Sequence, residues 1–508
     1  MKSSIISYIC LLKGIDTLSF ELKDNETLRQ ALSRFKKELK TDPNLPVDVR
    51  DITEALASDD AKTRKNAALL LLDLKKLGRT ESENDIIEAL FNSYKNEAIL
   101  FVRPCILESM AGFKANVPDD IKEALEERLK VIDETKWEVS DEKHIKAERH
   151  ELLMILSDES DDAKQVKSFV HPFEILLTCD KLFAEQIASD LGSGSKVTPN
   201  GIRAKVSKLD KILKNRLFKE LLFLVPIRKG YICNRDTLAE LAKNTAILRL
   251  LDDLYQDKEK SNTYRFRLNI ESGNEAFSDG KYLKKVAAEI EADSKGRLIN
   301  DPGNYDLIIV CKEKKDGNLS LYVEIPSIDN RFAYRIHTEP TSMSTHMAAE
   351  TIHEIKEFIK PESWILDPFC GTATLLLERA LEMPSREYYG IDTFGQAIAE
   401  ARENADAAGV KINFINRDFF DFTSDYPFHE ILAEFPDFFG KEPKEKDEFF
   451  TSFFKKAVEV AADEALMFLI TDEENLIKKH IRLAPELKLV RSKSLGKSKQ
   501  IYIIGVEK

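Results

Sequence analysis

Three aspartates stand where carboxylates could grip a nucleoside. Asp367 ends an apolar run that begins at Trp364, Asp392 follows the buried run Tyr388 to Ile391, and Asp418 follows INFIN. Each run predicts a strand of a parallel sheet, which places the three carboxylates at strand carboxyl ends, the edge where doubly wound folds bind ligands. Asp392 can accept hydrogen bonds from both hydroxyls of a ribose, and Asp418 from a purine amino group, with Phe419 beside it to pack on the ring. Gly371, between Asp367 and the next helix, permits close backbone approach, and the helix start suits an anionic group. Asp367 or Asp418 alone reads equally well as a cap or turn residue. All three in order, with the glycine turn, make a specific set.

A fourth strand, HEILAEFPDFFG from His429 to Gly440, brings Glu434, Phe435, Pro436 and Asp437 to the same edge.

The elements that must position these residues occupy the last third of a long chain. With 508 residues, 43% of them hydrophobic and 32% charged, several domains are expected. Met1 to about Asp162 has helical periodicity throughout. Three similar stretches each place an arginine near the start of a second helix, Arg64, Arg103 and Arg149. A spacing of roughly 35 to 45 residues is the period of HEAT-type helical pairs, with an ordinary helical bundle as the alternative. This helical arm, residues 1–165, is expected to fold by itself, because the polar stretch Ser157 to Ser168 reads as a linker.

Beyond the linker, strands and helices alternate. FEILLTCD and GIRAKVS predict strands, and LDKILKNRLFKELLFLV predicts a helix with Lys211, Lys214 and Lys219 on one face. TYRFRLNI, YDLIIVCKE and LSLYVEIPS predict further strands.

A net charge of −13 repels nucleic acid at long range, so any such contact must come from local basic patches. Arg203 to Arg235 is one and Arg491 to Lys499 another, although a solvated charged face explains either alone. The six cysteines form no CxxC pair, so neither a zinc site nor a disulfide framework is indicated, and no metal is called for. The opening apolar run is interrupted by Lys13 and nothing later reaches membrane-spanning length, so a soluble, cytoplasmic chain is expected.

Residue for residue, DPFCGTATLLLERA and GIDTFGQAIAEARENADAAG resemble the THUMP-containing guanine-N2 methyltransferases of tRNA and ribosomal RNA, whose family form of the turn is DPFCGTGT. RIHTEPTSMSTHM, Arg335 to Met347, resembles the stretch that runs over the cofactor in that family, with Thr341, Ser342 and Met343 at its A-S-L positions. Phe173 to about Pro226 resembles the family's ferredoxin-like piece, and Asp236 to about Ser327 its THUMP domain.

The resemblance, which spans Phe173 to Lys508, and the helical pattern that lies outside it together imply a multidomain α+β protein. Residues 1–165 would be an all-α HEAT-like region, 169–330 a ferredoxin-like plus THUMP RNA-binding region, and 331–508 a Rossmann-like, doubly wound α/β methyltransferase domain. The cofactor would be S-adenosyl-L-methionine (SAM), held by Asp367, Pro368, Gly371, Thr372, Asp392, Asp418, Phe419 and Ser342. Glu434, Phe435 and Pro436 would form the catalytic face toward a guanosine of RNA, with tRNA favoured, and the arm is left for protein contacts.

Two departures from the family form matter. Ala373 replaces the second glycine of the turn, a mild change so long as its backbone is not left-handed. Glu434 stands where amino-methylating members carry Asn or Asp, and its extra methylene moves the acceptor outward; Phe438 or Phe439 would supply stacking surface. The site is therefore either an altered amino-methylating centre or a decayed one on a non-catalytic SAM- or RNA-binding or scaffold protein. A protein-methylating enzyme is a third reading, since the fold does not choose the acceptor.

Overall fold

The computed structural model describes residues 23, 26–80, 82–157, 166, 169, 171–227, 246–260, 262–273, 277, 279–339, 342–438, 440–495 and 499–508. Most of the linker Ser157 to Ser168, together with Arg228, Lys229, Arg235, Thr341 and Phe439, lies outside the described residues.

In chain order the helices begin with α1 (Leu28–Thr41), α2 (Val49–Ala55), α3 (Ala61–Lys76), α4 (Glu83–Asn96), α5 (Arg103–Ala111), α6 (Asp119–Glu134) and α7 (Glu142–Leu156). Then follow β1 (Phe173–Cys179), α8 (Ala184–Leu191), β2 (Lys196–Thr198), β3 (Gly201–Val206), α9 (Asp210–Leu213), β4 (Phe218–Val225), α10 (Ala246–Tyr255), β5 (Tyr264–Glu271), α11 (Gly280–Asp293), β6 (Leu298–Asn300), β7 (Leu307–Glu313) and β8 (Leu319–Glu324). The last third holds α12 (Thr345–Ile355), β9 (Trp364–Asp367), α13 (Thr374–Glu382), β10 (Glu387–Asp392), α14 (Gly395–Ala408), β11 (Asn413–Asn416), β12 (Phe428–Glu434), α15 (Pro443–Val460), β13 (Ala461–Thr471), α16 (Glu474–Leu483), β14 (Leu487–Leu495) and β15 (Lys499–Glu507).

The chain divides into two compact units, 1–166 with 227–319, and 167–226 with 320–508. The stretch 169–330, read from sequence as one region, thus contributes to both.

In the first unit the helices bury the apolar stripe that their sequence spacing lays on one face. Ile52, Leu70, Leu74, Leu90, Leu107 and Leu152 are all fully buried in one core. Helix α3 packs against α1 and α5, and α5 against α7, while α2, α4 and α6 each pack on the helix that follows them. The three arginines that marked the repeat all pair across helices. Arg64 Nε lies 2.7 Å from Glu97, Arg103 Nη1 3.4 Å from the buried Glu148, and Arg149 Nε 2.6 Å from Asp133.

The arm also touches elements beyond the linker. His150 Nδ1 of α7 lies 2.8 Å from Glu291 Oε2 of α11, and Leu153 packs within about 3 Å of the Cβ position of Gly296. In this unit β5 pairs in parallel with both β6 and β7.

In the second unit β2, β3, β1, β4 and β8 are neighbours in that order, all antiparallel. The predicted helix over LDKILKNRLFKELLFLV is not formed. Only Asp210–Leu213 is helical, and Phe218–Val225 is strand β4. Phe218, Leu221, Leu222, Phe223 and Val225 are buried, and a strand covered on both faces reads in sequence like a buried helix. Lys219 therefore sits on β4 and does not share a helical face with Lys211 and Lys214.

The second sheet has the order β11-β10-β9-β12-β13-β15-β14. Strands β11 to β13 pair in parallel, and β15 pairs antiparallel with β13 and β14. Strand order reverses between β9 and β12, the switch point at which an open sheet leaves a crevice at its carboxyl edge.

Candidate cofactor and substrate cleft

A cleft of about 830 Å³ opens at that switch point, within the range of roughly 300–1,000 Å³ that small-molecule sites occupy. The residues assigned from sequence to the cofactor line it, Asp367, Pro368, Gly371, Thr372, Asp392, Asp418, Phe419 and Ser342, and so do those assigned to the catalytic face, Glu434, Phe435 and Pro436.

The turn after β9 is built by its own backbone. Phe369 N donates to Asp367 Oδ1 at 3.1 Å, Cys370 N to Ile391 O at 2.9 Å, and Gly371 N to Asp392 Oδ2 at 2.9 Å. Gly371 has φ +50°, and a Cβ there would come 3.6 Å from the Glu339 carboxylate, so its freedom is used for conformation. Ala373 has φ +66° and is left-handed, so the condition under which its exchange for glycine would be mild is not met. An L-residue in that conformation costs about 1–2 kcal/mol, which the buried packing of Ala373 against Tyr334, Leu377 and Ala401 must hold in place.

The stretch before the domain is tied over this turn. Ser342 Oγ and Thr372 Oγ1 are 3.3 Å apart, and the fully buried Asn404 bridges His337 O at 3.0 Å and Thr372 O at 3.1 Å. Asn404 was missed from sequence; its signal is an amide on the buried face of the predicted helix α14.

Asp392 is held by two backbone donors, Gly371 N on Oδ2 and Phe394 N on Oδ1, both at 2.9 Å. Each oxygen keeps a second acceptor position, as two adjacent hydroxyls require. Asp418 caps the turn that follows it through Phe420 N at 2.9 Å, so cap and ligand roles coincide. Phe419 is 1% exposed and packs on Phe369 and Phe453, whereas the half-buried Phe420 offers more ring to the cleft.

Asp367 is 3% exposed. Burial chiefly, with the nearby charges of Asp392 and Glu434, pushes its carboxyl up to about 8 against the opposing Phe369 N–H. Burial and Asp392 also raise Glu339.

On the opposite wall Phe435 is 5% exposed and sits in a cluster with Phe449, Phe450 and Phe453. Phe438 is likewise buried against Phe449 and Phe450 and does not line the cleft, so it gives no stacking surface there. Glu434 makes an ion pair with Lys499, the first residue of β15. Lys499 lay within the basic run already noted, but only the pairing of β15 with β13 reveals that it meets Glu434.

Residues 333–500 match the family model described as UPF0020, the RMKL-like methyltransferase domain. This segment is a SAM-dependent methyltransferase domain. A stretch of 68 residues is 35% identical to the carboxy-S-adenosyl-L-methionine synthase of Nautilia profundicola, 13% of this chain and 29% of that protein, so the chain spans under a third of that relative. Among solved structures, TrmN from Thermus thermophilus matches with TM-score 0.46 and 19% identity over 66% of this chain and all of that one. A predicted N6-adenine-specific DNA methylase from Listeria monocytogenes matches with TM-score 0.45 and 15% identity, over 65% of this chain and 96% of that one.

SAM fits the methyltransferase cleft by donor chemistry: Asp392 and Asp418 would hold its nucleoside end, and the carboxylates of Asp367 and Glu339 would meet its cationic end. Asp392→Ala removes the anchored acceptor and is expected to weaken SAM binding by about 1.5–3 kcal/mol, roughly 10- to 150-fold. Isothermal calorimetry showing wild-type affinity in the variant would remove Asp392 from the site.

A second outcome follows from Asp367. Without ligand its carboxyl is largely protonated at pH 7, and a cation beside it favours the ionised form, so binding must expel a proton. SAM affinity should rise with pH up to about 8 and level off above it. Calorimetry at pH 7 in buffers of differing ionisation enthalpy should register the released proton, and Asp367→Asn should abolish that release. Equal heats in all buffers would count against it. Among the described residues no helix is long and apolar enough to cross a membrane.

Proposed function

We propose that the protein uses SAM to methylate an exocyclic amine of an RNA base, with N2 of a guanosine in tRNA as the target. The observation that carries this reading is the place of Glu434, which ends β12 beside β9 and shares one cleft with Asp367 and Asp392. When bound, SAM supplies a methyl group activated by its sulfonium. Glu434 accepts hydrogen bonds from the amine, lets its nitrogen pyramidalise, and holds the proton the amine sheds. Pro436 follows as a rigid, exposed wall for the flipped base.

The strands β1 to β8 support a ferredoxin-like and THUMP pair for RNA capture. The alternating packing of α1 to α7 supports a HEAT-like arm that takes a protein partner, in a cytoplasmic enzyme. A second reading, a protein that binds SAM or RNA without turnover, is favoured by the Lys499 ammonium on the Glu434 carboxylate and by the burial of Phe435 and Phe438. Mass spectrometry of tRNA nucleosides from cells lacking the protein separates the two. Loss of N2-methylguanosine supports the enzyme, and an unchanged profile from a protein that binds SAM supports the second reading.

A further inference from the structure

A second cavity, of about 410 Å³, lies in the segment that precedes the methyltransferase domain, far along the chain from the SAM cleft. Its walls come from the end of α8, the turn into β2, the end of β3 and the turn around α9. Four lysines line it, Lys205, Lys208, Lys211 and Lys214, against one acidic residue, Asp210.

Lys211 lies in the short helix Asp210–Leu213, Lys214 follows it directly, Lys208 sits in the turn that leads into it, and Lys205 belongs to the end of β3. All four are exposed, and none makes an ion pair among the described residues. Opposite them, Gly194 has φ +108° with nothing within 4 Å of its Cβ position, so the backbone there is open to close approach, and Lys211 Nζ comes within 4.0 Å of the Cβ position of Gly192. Like charges gathered around a concavity repel one another unless a counter-anion enters, and in a chain of net charge −13 such a gathering runs against its background.

We propose that this cavity binds phosphate, and that its physiological occupant is the sugar-phosphate backbone of the RNA substrate. The assignment of RNA rests on the function proposed above; the phosphate chemistry rests on the four lysines alone. Ammonium groups act as point charges for phosphate and read no sequence, so the cavity holds the RNA in place without choosing the base.

The test uses the full-length protein, its Lys208→Gln/Lys211→Gln/Lys214→Gln variant and the corresponding triple Arg variant, with SAM affinity as the control for folding. Unfractionated tRNA and sodium pyrophosphate are the two probes. The Gln variant should bind tRNA at least tenfold more weakly at low salt, with a slope of log K against log salt smaller by about 2 to 3, and should lose pyrophosphate binding. The Arg variant should retain both, and SAM affinity should not change in either. Wild-type tRNA affinity and slope in the Gln variant would overturn the cavity while leaving the proposed reaction intact. A wild type that binds pyrophosphate through these lysines and binds no tRNA would overturn the RNA source, and with it the proposed substrate, while the phosphate site stands.

Discussion

Arg379→Leu is expected to destabilise the second unit by about 3–5 kcal/mol, a large part of the roughly 5–15 kcal/mol that separates folded from unfolded domains. Arg379 of α13 is 0% exposed and Glu430 of β12 is 3% exposed. The guanidinium meets the carboxylate with both ends of its fork, Nε to Oε2 at 2.8 Å and Nη2 to Oε1 at 2.9 Å. Its remaining donors are used on Met383 O at 2.6 Å, Lys360 O at 3.1 Å and Ser385 Oγ at 3.0 Å. Leucine fills much of the volume but leaves the carboxylate of Glu430 buried with, among the described residues, only Lys360 N at 3.2 Å as a hydrogen-bond partner. That uncompensated charge is the source of the cost.

The double change Arg379→Leu/Glu430→Leu should therefore regain most of the loss, since a buried pair replaced by apolar groups is often close to neutral. Urea unfolding followed by far-UV circular dichroism measures both. A loss under about 1 kcal/mol in the single variant, or no recovery in the double, would show that the pair is not what fixes α13 to β12. The contact matters to function because α13 begins at the Gly371 turn and β12 ends at Glu434, so this pair sets the two walls of the cleft against each other.

Arg379 and Glu430 were in plain view in the sequence, and neither was singled out. A charged residue inside LLLERA reads as the polar face of a helix, and only the packing of α13 on the sheet shows that face to be internal. The three aspartates were legible because their information is local: a strand, its end and a turn within a few residues. Lys499 and Phe453 were not, since each reaches the cleft walls through elements distant in the chain. The segment Leu209–Val225 misled for a different reason. Its leucines satisfy a helical repeat and a doubly buried strand equally, and of the two residues that break it Arg216 is a good helix former while Asn215 alone is a weak break signal. Arg216 is drawn out by Glu378, 2.9 Å from its Nε, a partner no window of sequence contains. The pairing of His150 with Glu291 was equally hidden, because its two partners lie on either side of the polar linker.

Glu434→Ala is expected to lower methyl transfer about 100-fold while leaving SAM affinity within twofold, because a misplaced or missing acceptor at the reacting amine costs that much and Glu434 faces substrate. Lys499 decides what the wild-type residue is doing. An ammonium on one carboxylate oxygen fixes the long side chain and restores, through a second residue, the aim that a shorter Asp or Asn has by itself; the other oxygen then serves the amine. On that account Lys499→Met lowers turnover, and Glu434→Asp in the same background raises it again, since the shorter chain needs less holding. If the ammonium instead blocks the acceptor, Lys499→Met creates or increases activity and Glu434→Asp alone does the same. Single-turnover assays on RNA from the protein's own cells distinguish the two accounts by the sign of the Lys499→Met effect. Should the wild type, Glu434→Asp and Lys499→Met all bind SAM and methylate no RNA, the amine-methylating reading falls, and the cleft is that of a protein that keeps the cofactor without using it.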